Sequence, residues 1–444
     1  MVMRKMKESG ISWIGLVPYD WKIMRLKYVS DFYNGYRGSN YPSGDDLVEE
    51  GIPFLTSNNI HGETLDVSDE ITKYITQEKY DSLGGAKVMK NDIIFCLRGS
   101  VGTCAINKSI DEGTVASSLV DIRPKKIDPN FLNYVLNSPL AEIQTLDFMN
   151  GSCALNLSAE NVSSYVIFVP SIPEQHRIST YLDAKCAEID ALTVDIQSQI
   201  DTLEQYKRSV ITETVTRGLD KDVEMKESGI DGAGETPSNW KTTRLCYECY
   251  IRARLGWLGL KADEYVDEGY AFISAFNIQN GKLVWTPLNY ITKERFDESP
   301  EIKLHSGDVL IVKDGAGVGK CARVDDLPMG GTAPNSSIAV ITPSKNLDYR
   351  YVCYYLQSAV FNNFVLLLYN GMGVPHLTQE VMSKIKILVP PLKEQMVISD
   401  YLDAKCTEID DIVETKKSQL ATLDEYKKST IYEYVTGKKE VPAV

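Results

Sequence analysis

The sequence has little of what catalytic and metal sites are made from. Its four histidines are widely separated, and neither a G-x-S-x-G elbow nor an H-E-x-x-H pattern occurs. Cys246 and Cys249 have the C-x-x-C spacing of half a zinc site, but a structural zinc takes four ligands and no second pair lies nearby. We therefore expect no catalytic residue, no metal site and no cofactor bound by this chain.

Long apolar runs are also missing. The stretch FVLLLY at 364–369 falls far short of the roughly 20 residues that span a bilayer. The basic start MVMRKMKESG is not followed by the apolar stretch of a secretory signal. The nine cysteines have no scaffold spacing, which is typical of reduced thiols. The sequence thus predicts a cytoplasmic protein with no membrane partner.

Positive charge is scarce relative to negative charge. The formal net charge is −14 at pH 7, whereas a simple nucleic-acid binder usually has a basic surface. If the chain contacts phosphates, we expect other subunits to supply part of that contact. One local cluster does combine basic and aromatic residues, namely Arg244, Arg252, Arg254 and Lys261 with Tyr247, Tyr250 and Trp257.

A glycine-rich segment, GAGVGK at 315–320, follows the predicted strand VLIVK. A P-loop needs Gly where Asp314 stands and Ser or Thr where Cys321 stands, so the motif fails at two defining positions. A turn that approaches a partner closely explains the glycines better than a nucleotide site does. An enzyme with a nucleotide site around Gly315 stays as a hypothesis, and unchanged function after Lys320→Ala would remove it.

What the sequence does contain is an internal repeat. Residues 169–216 and 389–436 align without a gap at an offset of about 220, with about half the positions identical. MKESGI occurs at 6–11 and again at 225–230, and each copy is followed by W-K-x-x-R-L. The chain is therefore two copies of one unit, which can be related by an internal pseudo-twofold axis.

The repeated segments are predicted to be long helices. Leu182, Ile189 and Ile196 begin a series of apolar residues that recurs every seven positions, the period of helices packed in a coiled coil. In the second copy Lys416 and Thr430 interrupt the series. The residues predicted to pair the helices are Leu182, Ile189, Leu192, Ile196, Leu203, Tyr206, Leu402, Ile409, Ile412, Leu423 and Tyr426.

A helix from Glu174 to Thr216 would be about 65 Å long at 1.5 Å per residue. So long a helix is not stable in water unless its apolar stripe is buried. Its own repeat is the simplest partner, and a pseudo-dyad makes the two helices antiparallel. The alternative, in which each helix packs only on its own globular domain, stays open.

Two globular segments of roughly 160 residues alternate with the helices. IIFCL and VLIVK are typical of short buried strands, and FLNYVLNS and YVCYYLQS of short helices, which indicates an α/β (α+β) fold in two copies. The predicted boundaries are 1–172 for the first globular domain, 173–218 for the first long helix, 219–230 for a linker, 231–391 for the second globular domain, 392–437 for the second long helix and 438–444 for a C-terminal tail.

Each unit opens with a tryptophan-rich motif and closes with P-x-x-E-Q-x-x-I-x-x-Y-L-D. The openings are 13–27 and the weaker 232–245, and the closings are 170–183 and 390–403. This doubled arrangement resembles the DNA-specificity subunit of type I restriction-modification enzymes, and the resemblance covers essentially the whole chain. The second opening departs from the pattern, because Gly232 and Ala233 replace Trp13 and Ile14, and Cys246 replaces Lys27.

The resemblance implies that each globular segment is a target-recognition domain for one half of a split site in double-stranded DNA. The paired helices would fix the spacer and dock two methylation subunits that hold S-adenosylmethionine. Two restriction subunits, which are translocase-nucleases that use ATP and Mg, would complete the enzyme. An adenine in each half-site would be methylated, and this chain would catalyse none of these steps.

Base readout needs polar side chains on loops that enter the major groove, and three aligned loops in each domain are candidates. Arg98 could fork onto guanine and Asn58 onto adenine, although either could instead stabilise its own turn. The candidates for DNA binding are Thr56, Ser57, Asn58 and Asn59 with Ser274, Phe276 and Asn277 in loop 1, Arg98, Gly99 and Ser100 with Lys313, Asp314 and Gly315 in loop 2, and Ser152 and Asn156 with Met372 and His376 in loop 3.

A coiled-coil adaptor that joins proteins without reading DNA is the competing hypothesis. It is disfavoured because the helices are alike in the two copies while the globular segments diverge, as two readers of different ligands would. The two hypotheses differ in salt dependence, since phosphate contacts make DNA binding fall steeply as salt rises.

Overall fold

The computed structural model describes residues 4–150, 156–253, 260, 264–315, 317–369 and 376–442. The chain divides into two compact units. Unit 1 consists of Met1–Ile196 and Ser418–Val444, and unit 2 of Gln197–Lys417. Each unit is therefore one globular domain together with part of each long helix, whereas the predicted boundaries gave each helix a segment of its own.

Unit 1 has a six-stranded sheet in the order β4-β13-β10-β11-β8-β7 and a four-stranded sheet in the order β12-β6-β9-β5. In the first sheet β10 pairs antiparallel with both β11 and β13. The strands are β1 Met6–Glu8, β2 Leu16–Pro18, β3 Lys22–Arg25, β4 Ser30–Asn34, β5 Leu47–Val48, β6 Ile52–Leu55, β7 Ile60–His61, β8 Thr64–Leu65, β9 Lys73–Ile75, β10 Ile93–Cys96, β11 Cys104–Ile106, β12 Thr114–Val115, β13 Leu119–Pro124 and β14 Val166–Val169.

Short helices cover the sheet of unit 1, and a long helix follows them. Asp128 caps the second helix by accepting from Phe131 N at 2.8 Å, and Pro129 suits its first position because it lacks an N–H group. Phe131 and Leu132 of this helix lie in the main core of unit 1. The helices are α1 Gln77–Ser82, α2 Pro129–Leu136, α3 Pro139–Asn150, α4 Ala159–Ser163 and α5 Ile172–Arg217.

Unit 2 repeats this plan with shorter sheets. Their orders are β18-β26-β23-β24 and β22-β19-β25, and β23 takes the central place that β10 has in unit 1. The strands are β15 Met225–Glu227, β16 Glu235–Pro237, β17 Lys241–Arg244, β18 Cys249–Arg252, β19 Tyr270–Ile273, β20 Ile278–Gln279, β21 Lys282–Leu283, β22 Asn289–Ile291, β23 Val309–Val312, β24 Cys321–Arg323, β25 Thr332–Pro334, β26 Ile338–Pro343 and β27 Lys386–Val389.

The helices of unit 2 occupy the same places in the order of elements. Strand β15 lies within the segment that the sequence predicted as a linker, and it pairs with β16. The mixed helix and sheet composition and the two long helices confirm the predicted fold class. The helices are α6 Leu245–Glu248, α7 Lys293–Asp297, α8 Tyr349–Gln357, α9 Ala359–Tyr369, α10 Gln379–Ser383 and α11 Leu392–Val435.

The repeated opening and closing motifs join the two ends of each globular domain. Strand β3 pairs with β14, and β17 pairs with β27, immediately before each long helix. The buried Trp21 indole donates to Glu174 Oε2 at 3.1 Å, and Trp240 donates to Glu394 Oε1 at 3.0 Å. The glutamate of each E-Q motif is thereby fixed against the tryptophan of the opening motif.

The apolar residues that recur every seven positions lie on the buried faces of the long helices. Leu182, Ile189, Leu402 and Ile409 are 5% exposed or less. Ile196, Leu203 and Leu423 are partly buried.

The other four residues that were predicted to pair the helices were assigned to the wrong face. A coiled-coil face alternates steps of four and three residues, so the residue after Leu182 on the same face is Cys186. Cys186 and Ile200 on α5, and Cys406 and Val413 on α11, are each 7% exposed or less. Leu192, Tyr206, Ile412 and Tyr426 were predicted to pair the helices and are instead between 39% and 55% exposed.

Polar contacts within each unit show that the helices run antiparallel. In unit 1 Lys427 Nζ lies 3.0 Å from Asp190 Oδ1, and the ring centroids of Tyr181 and Tyr434 lie 4.7 Å apart with the rings tilted by 46°. The residue number thus falls on α11 as it rises on α5.

Unit 2 has the matching arrangement, which also accounts for the interrupted heptad. Lys207 Nζ lies 2.6 Å from Asp410 Oδ1, and Lys416 donates to Gln199 Oε1. Lys416 therefore finds a polar partner on α5, which fixes the register of the two helices in unit 2.

The described part of the chain contains no group of three or more His, Cys, Asp or Glu residues that could hold a metal ion. In the same residues no single helix is long and apolar enough to cross a membrane; α8 together with 359–368 of α9, bent by 56°, meets that test by length and composition alone.

Candidate nucleic-acid interface

Loop 1 is a 3₁₀ turn that directly follows β6 in unit 1 and β19 in unit 2. Asn59 is fully buried and its Oδ1 accepts from Thr56 N at 2.8 Å. Its amide nitrogen donates to Asp66 O and to Thr72 Oγ1, so both ends of the side chain are used inside the loop. Asn59 therefore holds the turn and has no group left for a base.

The same turn is built in unit 2 by the same residue type. Asn277 is 2% exposed, accepts from Ser274 N at 3.0 Å and donates to Val284 O. The prediction that Asn59 and Asn277 contact DNA was wrong, because a residue that satisfies its hydrogen bonds within a buried turn cannot reach a groove.

The exposed tips of loop 1 are the positions that differ between the units. Asn58 is exposed in unit 1, and Phe276, which stands at the same place in the turn, is 62% exposed in unit 2. Ser57 is half-buried beside Asn58, as Thr56 and Ser274 are at the first position of each turn. An amide in one unit and an aromatic ring in the other are thus presented from one framework.

Loop 2 leaves the central strand of each unit. Arg98 and Ser100 are exposed after β10, and Gly99 has a φ of +81° that favours glycine. In unit 2 Lys313 donates to the neighbouring Asp314, and Gly315 has a φ of +88°. The glycines shape the turn, while the side chains before them carry the charge.

Loop 3 lies beside loop 2 in each unit. Leu157 N donates to Leu97 O at 3.0 Å, which places the exposed Asn156 next to Arg98. In unit 2 Leu377 N donates to Lys313 O at 2.9 Å in the same way, and His376 Nδ1 also lies 2.6 Å from Asp314 Oδ1. Ser152 and Met372 lie outside the described residues.

The electrostatics of loop 2 differ between the units. Burial alone would raise the pKa of Asp314, but hydrogen bonds from His376 and Lys313 outweigh it and lower the pKa below its ordinary value. Asp314 is therefore a fixed, ionised acceptor at neutral pH. Unit 1 presents the Arg98 guanidinium, which is a donor, at the corresponding place.

A fourth segment, residues 116–118 in unit 1 and 335–337 in unit 2, lies between loops 1 and 2 and was not among the residues predicted from the sequence. In unit 1 Ala116 N donates to Leu55 O, and Ser118 O accepts from Leu97 N, both at 2.8 Å. In unit 2 Asn335 N donates to Ile273 O and Ser337 O accepts from Lys313 N, both at 2.7 Å. The signal in the sequence was the short run of polar residues that precedes both β13 and β26.

The basic and aromatic cluster found in the sequence is not a surface patch as a whole. Tyr247 and Tyr250 are exposed by 71% and 68%, but Arg252 is only 8% exposed and pairs with Asp308. Arg252 was thus wrongly grouped with surface cations, because an ion pair with a buried carboxylate keeps it inside. Arg254, Trp257 and Lys261 of the cluster lie outside the described residues.

Comparison with known proteins identifies the framework. The family profile for the type I restriction modification DNA specificity domain matches the chain twice, at residues 18–202 and 239–422. The chain belongs to this family. Both copies of the specificity domain include the three loops and part of a long helix, so the internal repeat is a tandem pair of specificity domains.

Two similar proteins are specificity subunits of type I restriction enzymes, and the first of them matches this chain over almost its whole length. The specificity subunit of the type I restriction enzyme MjaVIII of Methanocaldococcus jannaschii is 24% identical over 433 residues, which are 96% of this chain and 94% of the relative. The EcoKI specificity subunit of Escherichia coli K12 is 26% identical over 182 residues, which are 40% of this chain and 38% of the relative.

Solved structures share the fold of the specificity subunit. A chain from a study of complex assembly and conformational transition of the type I R-M system superposes with a TM-score of 0.71 at 18% identity, over 95% of this chain and 99% of that one. The HsdS subunit from Thermoanaerobacter tengcongensis gives a TM-score of 0.50 at 18% identity, over 95% of this chain and 98% of that one.

Proposed function

We propose that this chain is the DNA-recognition subunit of a type I restriction-modification complex and that its two units read the two halves of one asymmetric, bipartite site. The observation that carries the proposal is the difference at equivalent exposed positions. Asn58 in unit 1 corresponds to Phe276 in unit 2, and Arg98 to the pair of Lys313 and Asp314. Different side chains on one framework suit two different half-sites.

The chemistry of the loop tips predicts the kind of bases in each half. In unit 1 the Arg98 fork matches the O6 and N7 atoms of guanine, and the Asn58 amide matches adenine. In unit 2 the Asp314 carboxylate accepts from the amino group of cytosine, and the Phe276 ring packs against a thymine methyl group. We therefore expect the first half-site to contain guanine and adenine, and the second to contain cytosine and thymine.

The long helices set the spacer and dock two methylation subunits in this proposal. The four apolar residues wrongly placed in the helix seam support it. Leu192 and Ile412 are one exposed pair related by the 220-residue repeat, and Tyr206 and Tyr426 are another. Equivalent apolar residues on two related surfaces are suited to two identical partner subunits.

The chemistry of modification and cleavage belongs to other subunits in this proposal. The methylation subunits hold S-adenosylmethionine and modify an adenine in each half-site. Two restriction subunits use ATP and Mg to translocate and cut the DNA. This chain contributes recognition and spacing, and it catalyses no step.

The experiment is to express the chain with its methylation subunits in a host and to sequence the modified adenines. We expect one bipartite asymmetric sequence. Inserting seven residues after Gln199, and seven after Lys416 on the paired helix, should lengthen the spacer by about 10 Å, or about three base pairs, and leave both half-sites unchanged. Absence of methylation in the unmodified complex, or altered half-sites in the insertion variant, would contradict the proposal.

A further inference from the structure

Unit 2 contains a polar cavity of about 540 Å³ between the β20–β21 hairpin, the end of loop 2 and the two long helices. Its charged residues are four basic and two acidic, namely Lys207, Arg208, Lys320, Lys417, Glu204 and Asp410. Lys207 pairs with Asp410 at 2.6 Å. Among the described residues, Arg208, Lys320 and Lys417 are in no ion pair, so the cavity has an excess of positive charge.

Unit 1 fills the corresponding place with a carboxylate of its own. Glu63 sits in the two-residue turn of the β7–β8 hairpin, and its Oε1 lies 3.5 Å from Lys427 Nζ. Lys427 also pairs with Asp190, just as Lys207 pairs with Asp410 in unit 2. The Glu63 side chain is 25% exposed, and burial raises its pKa although Lys427 opposes the rise.

In unit 2 the carboxylate is missing because the hairpin turn is of another kind. The turn of unit 1 is Gly62–Glu63, with φ of +63° at the glycine alone. The turn of unit 2 is Asn280–Gly281, with φ of +49° and +77°, as in a type I′ turn. Gly281 O accepts from Arg323 N at 3.1 Å, as Glu63 O accepts from Ile106 N at 3.3 Å, so the two turns occupy the same place in the fold.

Two of the cations are also peculiar to unit 2. In the alignment of the repeats, Lys320 replaces Thr103 beside the shared cysteine of β11 and β24, and Lys417 replaces Gln197 on the helix. Unit 1 thus combines an internal carboxylate with fewer cations, and unit 2 combines an open cavity with more cations. In unit 2 the missing carboxylate and the additional cations both favour the binding of an anion that comes from outside the chain.

We propose that this cavity of unit 2 binds a phosphate group. A terminal phosphate group carries a charge of about −1.5 to −2 at neutral pH, and a DNA phosphodiester carries one negative charge. Either group offers several oxygen atoms to the unpaired cations, which a single carboxylate does not. The phosphate can belong to a free polyphosphate or to a DNA backbone, and only the second source rests on the proposed function. Lys320 is the last residue of the glycine-rich segment, so the cavity gives that lysine a role without a P-loop.

The test is isothermal titration of the full chain with inorganic triphosphate at low salt. The unmodified chain is expected to bind one equivalent, and Lys320→Thr and Lys417→Gln, which install the residues of unit 1, are each expected to weaken binding by about tenfold. The paired change Asn280→Gly with Gly281→Glu should abolish binding, because it supplies an internal carboxylate. Lys428→Ala, at the position in unit 1 that corresponds to Arg208, is the control and should bind triphosphate as the unmodified chain does.

A second measurement separates the two sources of phosphate. If triphosphate does not bind but the salt dependence of DNA binding loses about 0.9 from its logarithmic slope in Lys320→Thr and not in Lys428→Ala, the phosphate belongs to DNA. If triphosphate does not bind and the slope is unchanged, the proposal is overturned. In a chain that binds no DNA the proposed function fails, and the triphosphate titration alone decides this site.

Discussion

In both units the central strand begins after a buried aspartate that an arginine neutralises. The arginine lies on a different strand of the sheet in the two units. Asp92 accepts from Arg123 of β13 at 2.8 Å. Asp308 accepts from Arg252 of β18, while Thr342 stands where unit 1 has its arginine. Both aspartates therefore pair with a guanidinium group, although the arginine that supplies it stands at a different position in each unit.

Unit 1 also has a second buried carboxylate in this region, which unit 2 lacks. Asp121 on β13 is fully buried, lies 3.5 Å from Arg123 and has no hydrogen-bond partner among the described residues. The equivalent strand position in unit 2 is Val340. Two copies that began alike can thus reach the same fold with different buried charges, and the cost of each arrangement can be measured by exchanging residues between them.

The largest effect is expected from Arg252→Ala in unit 2. The arginine is 8% exposed and Asp308 is 1% exposed, so its removal leaves a buried carboxylate without its cation. Breaking such a pair costs about 3–5 kcal/mol. Hydrogen exchange should accelerate in β23 and remain slow in β10. Equal protection in both strands would show that the ion pair does not stabilise unit 2. The control is Lys405→Ala, which removes a partly exposed ion pair with Glu408 on α11 and should alter neither strand.

The next effect concerns recognition and is specific to one half of the site. Arg98→Ala should relax base preference in the first half-site by about 1–3 kcal/mol per lost bidentate contact and leave the second half-site unchanged. Asp314→Ala should relax base preference in the second half-site and leave the first half-site unchanged. Selection of bound sequences from a random pool measures both. A uniform loss of affinity with unchanged preference would instead show that these side chains contact only the DNA backbone.

Replacing Asp121 by the valine of unit 2 should stabilise unit 1 in a pH-dependent way. Burial, reinforced by Asp92 and opposed by Arg123, raises the pKa of Asp121 to about 8. The unfolded value is about 3.9, so between these values the folded state binds a proton that the unfolded state has lost, and stability falls as pH rises.

Asp121→Val removes this loss and leaves Arg123 to Asp92. Since one pKa unit is worth about 1.4 kcal/mol, the stability advantage of the variant over the unmodified chain should be about 4 kcal/mol larger at pH 8 than at pH 5. Chemical denaturation at the two pH values measures the difference. A gain that is the same at both would mean that Asp121 does not titrate between them.

The smallest effect tests a contact that both units keep. The hydroxyl groups of Tyr134 and Tyr354 donate at 2.7 Å to Asp183 and Asp403 on the long helices. Each Tyr→Phe change should cost about 1 kcal/mol. The cost should be lower in unit 2, because Asp403 also accepts from Arg350 at 3.1 Å. A larger loss in unit 2 than in unit 1, measured by denaturation, would contradict this ranking.

The sequence predicted the helices well because their signal is periodic and occurs twice. It did not predict the neighbouring row of the paired face, which begins at Cys186 on α5 and at Cys406 on α11. That row also contains Thr193, Lys207 and Lys427, which apolar patterning does not mark. The apolar residues Leu192 and Tyr206, chosen in their place, lie on the outer face. Hydrophobicity identifies a helix but cannot distinguish a face buried within the chain from one available to a partner.

In the candidate interface, the sequence predicted where the loops lie. It did not distinguish the residues that hold each turn from the residues exposed at its tip. Asn59 and Asn277 are identical in two domains that differ elsewhere, and both proved to hold the turn. Asn58 and Phe276 differ and are exposed. The contact between Asp314 and His376 could not be predicted, because it depends on the approach of two loops that are 62 residues apart in the chain.

Each unit includes part of both long helices, and this arrangement fixes the order in which the two units obtain their complete cores during synthesis. Ile431, Tyr434 and Val435, near the end of the chain, lie in the same core as Phe131 and Leu182 of unit 1. Unit 2 is contiguous, from Gln197 to Lys417, and all of it has been synthesised before Ser418 is added. The domain that the ribosome makes first is therefore the last to obtain its full core, and a growing chain spends most of its translation with that surface uncovered.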